Sequence, residues 1–299
     1  MNFVSCRSVY YNKTIRYNSE ERNHKKVLRL DLSNQNLNTL PSDFDKYSNL
    51  KFLNLSNNPN LEFASIGDAL TNIKGLEVLK LDSNGFRELP DWIGEMSALR
   101  NLSLSYNQQL NLENAFKNLQ NLPSLEKLNL SNNEITQIPA SIKNLNSLKN
   151  LRLSYNEIGG AVSYSNLAKL SELKFLWLDH NSIDSLPISV GEVSQISELY
   201  LDNNQLEFLP EEISNCKGLH ILYLGNNHFK ELPKEILTMK IYLLAIYGNE
   251  IKTISESYKK MKAPMKIILL DNNFLDKEQQ RIAKKYFTGF FVLSMKNQN

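Results

Sequence analysis

The sequence predicts an α/β solenoid, a stack of strand–turn–short-helix coils that share one parallel sheet. Three observations predict it. A nine-residue apolar frame recurs along most of the 299 residues. An asparagine closes nearly every copy, and the composition is that of a water-compatible chain without a membrane-length apolar run. The frame is Leu76-Glu77-Val78-Leu79-Lys80-Leu81-Asp82-Ser83-Asn84, and it begins again at Val27, Leu50, Leu99, Leu125, Leu148, Leu173, Ile196, Leu219, Ile241 and Met265. These are about eleven copies, spaced by roughly 23 residues with some near 25–26.

Each part of the frame has a physical reading. The central leucines alternate with polar residues at a period of two, so each copy is a short strand with its leucines turned inward. Beyond the asparagine come an apolar residue and often a second apolar residue with proline, as in Ile135…Ile138-Pro139 and Leu206…Leu209-Pro210. Apolar residues then return every third position, such as Ile142, Leu145 and Leu148, which suits one or two helical turns. No single coil can bury its own leucines, so stacking must make the core. The column Asn58, Asn84, Asn107, Asn133, Asn156, Asn181, Asn204, Asn227, Asn249 and Asn273 supplies donors and an acceptor where each strand turns away. The first copy carries Gln35 instead, as suits a terminal unit.

These frames, several followed by segments such as Ile138-Pro139-Ala140-Ser141-Ile142-Lys143-Asn144-Leu145-Asn146-Ser147-Leu148, resemble the leucine-rich repeat family over residues 27–275, with Ras-group and bacterial repeats nearest in form. The resemblance implies the asparagine ladder and a protein-binding role. Strands stack at about 4.8 Å whereas helices need about 10 Å, so a curved horseshoe with the sheet on its concave side is expected. Proline-marked copies should carry slim 3₁₀ turns. The longer copies, with Ser65–Lys74, Glu113–Leu122 and Ser163–Leu170, have room for fuller helices.

One continuous domain is expected, with an N-terminal cap over 1–26, the repeats over 27–275 and a helix–strand cap over 276–299. In the first cap Val9-Tyr10-Tyr11 and Ile15-Arg16-Tyr17 flank Asn12-Lys13 as a small hairpin. In the last, Asp276 with Gln279 three residues on reads as a helix start. Ile282, Ala283 and Tyr286 form the helix's apolar stripe, and Phe290-Phe291-Val292-Leu293 reads as a final strand. This ending resembles the closure of many bacterial leucine-rich repeat proteins.

Lys and Arg total 34 against 32 Asp and Glu, a net charge of +2 that offers nucleic acid or an anionic membrane no global attraction. Two cysteines, Cys6 and Cys216, do not make a disulfide framework, and Cys216 falls at a core position. The start lacks the apolar run of a secretory signal, so a cytoplasmic location is expected, or a secreted or surface one if a leader has been removed. Sequons at Asn12, Asn54, Asn101 and Asn129 arise partly from the repeat itself, and glycans on its strands would crowd the concave face. Phosphate loops, HExxH helices, nucleophile elbows and paired-cysteine metal motifs are absent. Asp179, His180, Asp202 and His228 lie on neighbouring copies, but read better as polar residues on a wet face than as cation ligands.

Function is expected where side chains are presented outward. Between the two strand leucines stand Asp31, Asn54, Lys80, Ser103, Asn129, Arg152, Trp177, Tyr200, Tyr223, Ala245 and Leu269, polar at first and then aromatic. Trp177, Tyr200 and Tyr223 should form an unbroken ladder, since adjacent strands lie about 4.8 Å apart. Phe175 and Ile221 flank it; Asp179 with His180, Asp202 and Tyr247 lie along one edge; Tyr155 occupies the matching late position one copy earlier. Aromatic pairs also suit a sheet surface, stabilising it by about 0.2–1 kcal/mol each. Folding alone does not require tryptophan there, since Asn, Ser and Asp serve in other copies. The expected function is a non-enzymatic, monomeric scaffold without cofactor, binding a protein through Trp177, Tyr200 and Tyr223. Asp179 and Asp202 would attract a basic group, and Arg152 and Lys80 an acidic one. The alternative is a glycan-binding adhesin using the same rings.

Overall fold

The computed structural model describes residues 14–17, 23–261 and 265–298. The chain falls into two compact units, 1–134 with 141–150, and 135–140 with 151–299.

In the first unit, strands β1 (Ile15–Arg16), β2 (Arg29–Asp31), β3 (Phe52–Asn54), β4 (Val78–Lys80), β5 (Asn101–Ser103) and β6 (Lys127–Asn129) pair side by side in chain order, all parallel. In the second unit, β8 (Phe175–Trp177), β9 (Glu198–Tyr200), β10 (Ile221–Tyr223), β11 (Leu243–Ala245), β12 (Ile267–Leu269) and β13 (Val292–Ser294) do the same. Strand β7 (Asn150–Arg152) spans the division. Register is set by the inner leucines: Leu176, Leu199, Leu222 and Leu244 align strand to strand, each essentially excluded from solvent. A one-residue slip would turn that row outward, so burial of one face enforces the alignment.

The strands are short because the chain leaves the sheet at every asparagine. The preceding residue adopts left-handed backbone, as at Asn57, Ser83 and Asn132 in the first unit and His180, Asn203 and Asn226 in the second. The asparagine then satisfies the backbone groups freed by the turn. Asn204 Nδ2 donates to Leu178 O (3.0 Å) and Leu201 O (2.9 Å), while its Oδ1 accepts from the N–H groups of Asn181 (2.9 Å) and Ile183 (3.0 Å). Asn107 does the same for Leu81, Leu104, Asn84 and Phe86. Four buried backbone groups are answered by one side chain.

Helices fall where the longer copies left room for them: α1 (Gly67–Thr71), α2 (Leu112–Leu119) and α3 (Ala161–Leu167). The proline-marked copies make 3₁₀ turns instead, at Asp91–Glu95, Ile188–Glu192, Glu211–Asn215 and Lys234–Thr238, each entered from an extended proline. Proline fits there because its missing N–H is one the turn would leave unbonded. Cys216 is buried, its thiol 3.4 Å from Val190 O, and burial pushes its pKa up to about 11.

At the end of the second unit, α4 (Lys277–Tyr286) starts at Asp276, whose carboxylate accepts from the Gln279 N–H at 2.7 Å. Lys284 and Lys285 sit in its last turn, where cations oppose the helix dipole. Ala283 is buried as its stripe requires, and Phe287, outside that stripe, is buried too, against Tyr258 and Phe290. Strand β13 then begins two residues later, and ends one residue later, than the apolar run suggests. Gln298 closes the asparagine ladder, accepting from the Leu275 N–H (3.0 Å) and donating to Leu270 O (2.9 Å). Of the expected N-terminal hairpin, residues 9–13 lie outside the described residues, and Ile15–Arg16 forms β1, parallel to β2. Among the described residues no helix is long and apolar enough to cross a membrane.

Candidate functional site

The second unit carries every side chain singled out from the sequence for partner binding except Lys80. Trp177, Tyr200 and Tyr223 occupy the same register position on β8, β9 and β10, so the sheet spacing forces their rings together. The centroids of Trp177 and Tyr200 are 4.7 Å apart with planes 7° from parallel; those of Tyr200 and Tyr223 are also 4.7 Å apart, at 10°. Arg152 extends the stack at one end, its guanidinium 4.7 Å from the Trp177 ring centroid. Phe175 lies beside Trp177 at 6.1 Å. All four aromatic residues are half-buried, with Ile221 and Leu243 half-buried alongside them.

Stacking has a consequence that spacing alone does not reveal. The facing ring surfaces cover one another, and the outer face of Trp177 is covered by Arg152. What the ladder offers a partner is a row of ring edges with their polar atoms, and the face of Tyr223 on the Ala245 side. The Tyr200 hydroxyl donates to Glu198 Oε2 at 2.6 Å. Burial, then that carboxylate, pushes its pKa well above the usual tyrosine value.

The acidic edge differs from expectation. Asp202 is buried, only 8% exposed, and cannot present an open carboxylate to a basic group. Its Oδ1 accepts from the Gly225 N–H at 2.8 Å, and the Tyr247 hydroxyl also donates to it. Burial raises its pKa to about 6 despite those bonds. Tyr247 reaches it by lying across Gly225, where any Cβ would overlap the tyrosine ring. Gly225 is the glycine in a column otherwise filled by Ser33, Ser56, Asp82, Ser105, Ser131, Ser154, Asp179, Asp202 and Asp271, and Tyr247 is the column's aromatic residue. That paired departure is the signal by which Gly225 could have been found in the sequence.

Asp179 is also engaged: Ser154 Oγ donates to Oδ1 at 2.6 Å, and His180 Nδ1 lies 3.1 Å from Oδ2. His180 stacks on Tyr155 at 4.0 Å, and both hold left-handed backbone. Tyr155 remains 51% exposed, an aromatic ring at the rim in a conformation that bulky side chains resist. His228 stands apart, 3.2 Å from Glu250. Among the described residues no group of three or more His, Cys, Asp or Glu side chains is placed to hold a metal ion. Lys80 is exposed on β4 of the first unit.

Comparison with known proteins agrees with this architecture. The family model described as leucine-rich repeat region matches residues 7–158, and a single leucine-rich repeat model matches 195–216. No curated protein matches the sequence. A leucine-rich repeat protein of Leptospira interrogans is similar in structure, with TM-score 0.69 and 26% identity, over 91% of this chain and 74% of that one. The TLR13–ssRNA13 complex (TM-score 0.70, 23% identity) and the Drosophila Toll–Spatzle complex (TM-score 0.71, 20% identity) share the fold. They match over 92% and 93% of this chain, which spans only 40% and 37% of theirs. The repeated frame, the asparagine ladder and the family match, which covers half of the chain, agree: the protein belongs to the leucine-rich repeat family.

Proposed function

We propose that this chain is a non-enzymatic scaffold that captures a protein on the open sheet face of β7–β10. The observation that carries this reading is the half-buried stack of Trp177, Tyr200 and Tyr223 under Arg152. Large aromatic side chains held rigid by neighbours lose little entropy on binding, and Trp, Tyr and Arg contribute about 2 kcal/mol or more each where they act as interface anchors. The nearby carboxylates are engaged within the sheet face, bonded to Tyr200, to Ser154 and His180, and to Gly225 and Tyr247.

The same geometry weighs against a glycan. A sugar ring stacks on an open aromatic face, and here the inner faces are taken up by neighbouring rings. Single-stranded nucleic acid needs such faces too, for its bases. The fold neighbours do not decide between partner classes, since one is named in complex with an RNA and another with Spatzle. The ladder's edges, hydroxyls and flanking aliphatic side chains suit the mixed apolar and polar surface of a protein.

Replacing Trp177 and Tyr200 together with alanine should leave the circular-dichroism spectrum unchanged, because neither fills the core. Binding to the partner identified with the unaltered chain should fall by at least a hundredfold in isothermal titration. Retained affinity would place the site elsewhere, and uptake on a glycan array lost in the double variant would favour the sugar reading.

A further inference from the structure

We infer that the partner presents an acidic segment, one carboxylate of which seats on Arg152 while apolar side chains further along the segment lie over Tyr223, Ile221 and Leu243. This rests on the reading of the open sheet face given above and adds the chemistry of what occupies it.

The charges around the ladder carry the inference. Asp179 is bonded to Ser154 and His180, Glu198 to the Tyr200 hydroxyl, and Asp202 is buried beneath Tyr247. Arg152 is different. Its guanidinium is held against Trp177, is exposed, and has no carboxylate partner among the described residues. The Trp177 indole N–H beside it likewise has no acceptor among them. Two donors without acceptors therefore sit at one end of the stack. A guanidinium fixed by stacking keeps its in-plane N–H groups free for two parallel bonds to a carboxylate, with little ordering entropy left to lose. At the other end of the stack Ile221 and Leu243 are half-buried and uncharged. The surface thus offers a guanidinium at one end and aliphatic side chains at the other, and fits an extended segment in which Asp or Glu stands about four residues from Leu, Ile or Phe.

A phosphate could also use Arg152. A polyanion, however, would pass Glu198 and Asp179, and most of the ring faces its bases would need are covered, so a protein carboxylate is favoured over an RNA backbone.

The test uses the 299-residue chain, immobilised, and a displayed library of random linear peptides. Selected peptides should be enriched in Asp or Glu about four residues from large apolar residues. Synthesised singly, they should lose at least tenfold in affinity for Arg152→Ala and more for Arg152→Glu, both variants being checked for an unchanged melting temperature. Exchanging the peptide's acidic residue for lysine should restore binding to Arg152→Glu, which a merely structural Arg152 would not produce. Enrichment without acidic residues, equal binding to Arg152→Glu, or no enrichment overturns the inference. So does tight binding of a mixed-sequence single-stranded RNA lost in Arg152→Glu, which would assign the site to phosphate. Peptides that ignore Arg152→Glu but are lost from the Trp177→Ala, Tyr200→Ala variant would remove the carboxylate and leave the sheet-face reading standing.

Discussion

At Asp202 the sheet holds a carboxylate away from water, and that has a thermodynamic signature. The folded chain keeps this proton up to about pH 6, whereas an unfolded aspartate releases it near its ordinary value of 3.8. Between those values the folded state binds more protons than the unfolded one, so this residue's contribution to stability falls as pH rises through that window. Asp202→Asn removes the charge and keeps an acceptor for the Gly225 N–H. The variant should match the unaltered chain near pH 4 and exceed it near pH 8 by about 1–2 kcal/mol, a rise of a few degrees in melting temperature. Calorimetric melts of both proteins across that range check it; a gap independent of pH would mean that the carboxylate is not the stressed group. None of this was legible from the sequence, where Asp202 reads as one more polar residue on a wet edge. Its burial follows from the Tyr247 ring lying flat over Gly225, a cross-strand relation between residues 22 apart.

Among the elements, by contrast, the strand and its asparagine were legible because each copy repeats the same solution to the same problem. Frames starting at Leu173, Ile196 and Leu219 specify β8, β9 and β10 directly, and the absence of proline in 163–170 marks α3. What repetition hides is any position that departs from it. Gln298 escaped notice because its coil has lost the leucine frame, although it bonds Leu275 and Leu270 as the asparagines do. Phe175 and Trp177 were placed correctly on their strand, yet sequence could not say that stacking would turn ring edges, and not faces, toward a partner. The ladder's weight can be measured at Asn204. Alanine there strips the N–H groups of Asn181 and Ile183 and the carbonyls of Leu178 and Leu201 of a buried partner. Unsatisfied buried groups cost about 1–3 kcal/mol each, partly relieved by entering water, so a loss on the order of 3 kcal/mol is expected in urea unfolding. Asn203→Ala, at the neighbouring half-buried position, should cost far less; equal losses would mean that backbone conformation, and not the side-chain bonds, dominates.

For the molecule, stability built from contacts between neighbouring coils implies a gradient and not a single value. In the second unit the inner positions Leu219, Leu222 and Leu224 are fully covered, because β10 has a strand on each side. The equivalent positions of the last coil, Phe290, Leu293 and Met295, are half-exposed, and β13 pairs with β12 alone among the described residues. Hydrogen exchange should therefore be fastest at the amides joining β13 to β12, such as Val292 and Leu270, and slowest in β9 and β10. The ladder lies inside the protected stretch, so its geometry should outlast the opening of the terminal coil. With Trp92 replaced by phenylalanine, Trp177 becomes the one tryptophan left and reports that geometry directly. Its fluorescence should hold through low denaturant while β13 amides already exchange, then change together with the main loss of circular dichroism. A Trp177 signal that moves with β13 would mean that the binding face shares the weakness of the end, and that partner binding, in place of the sheet, is what holds the rings in line.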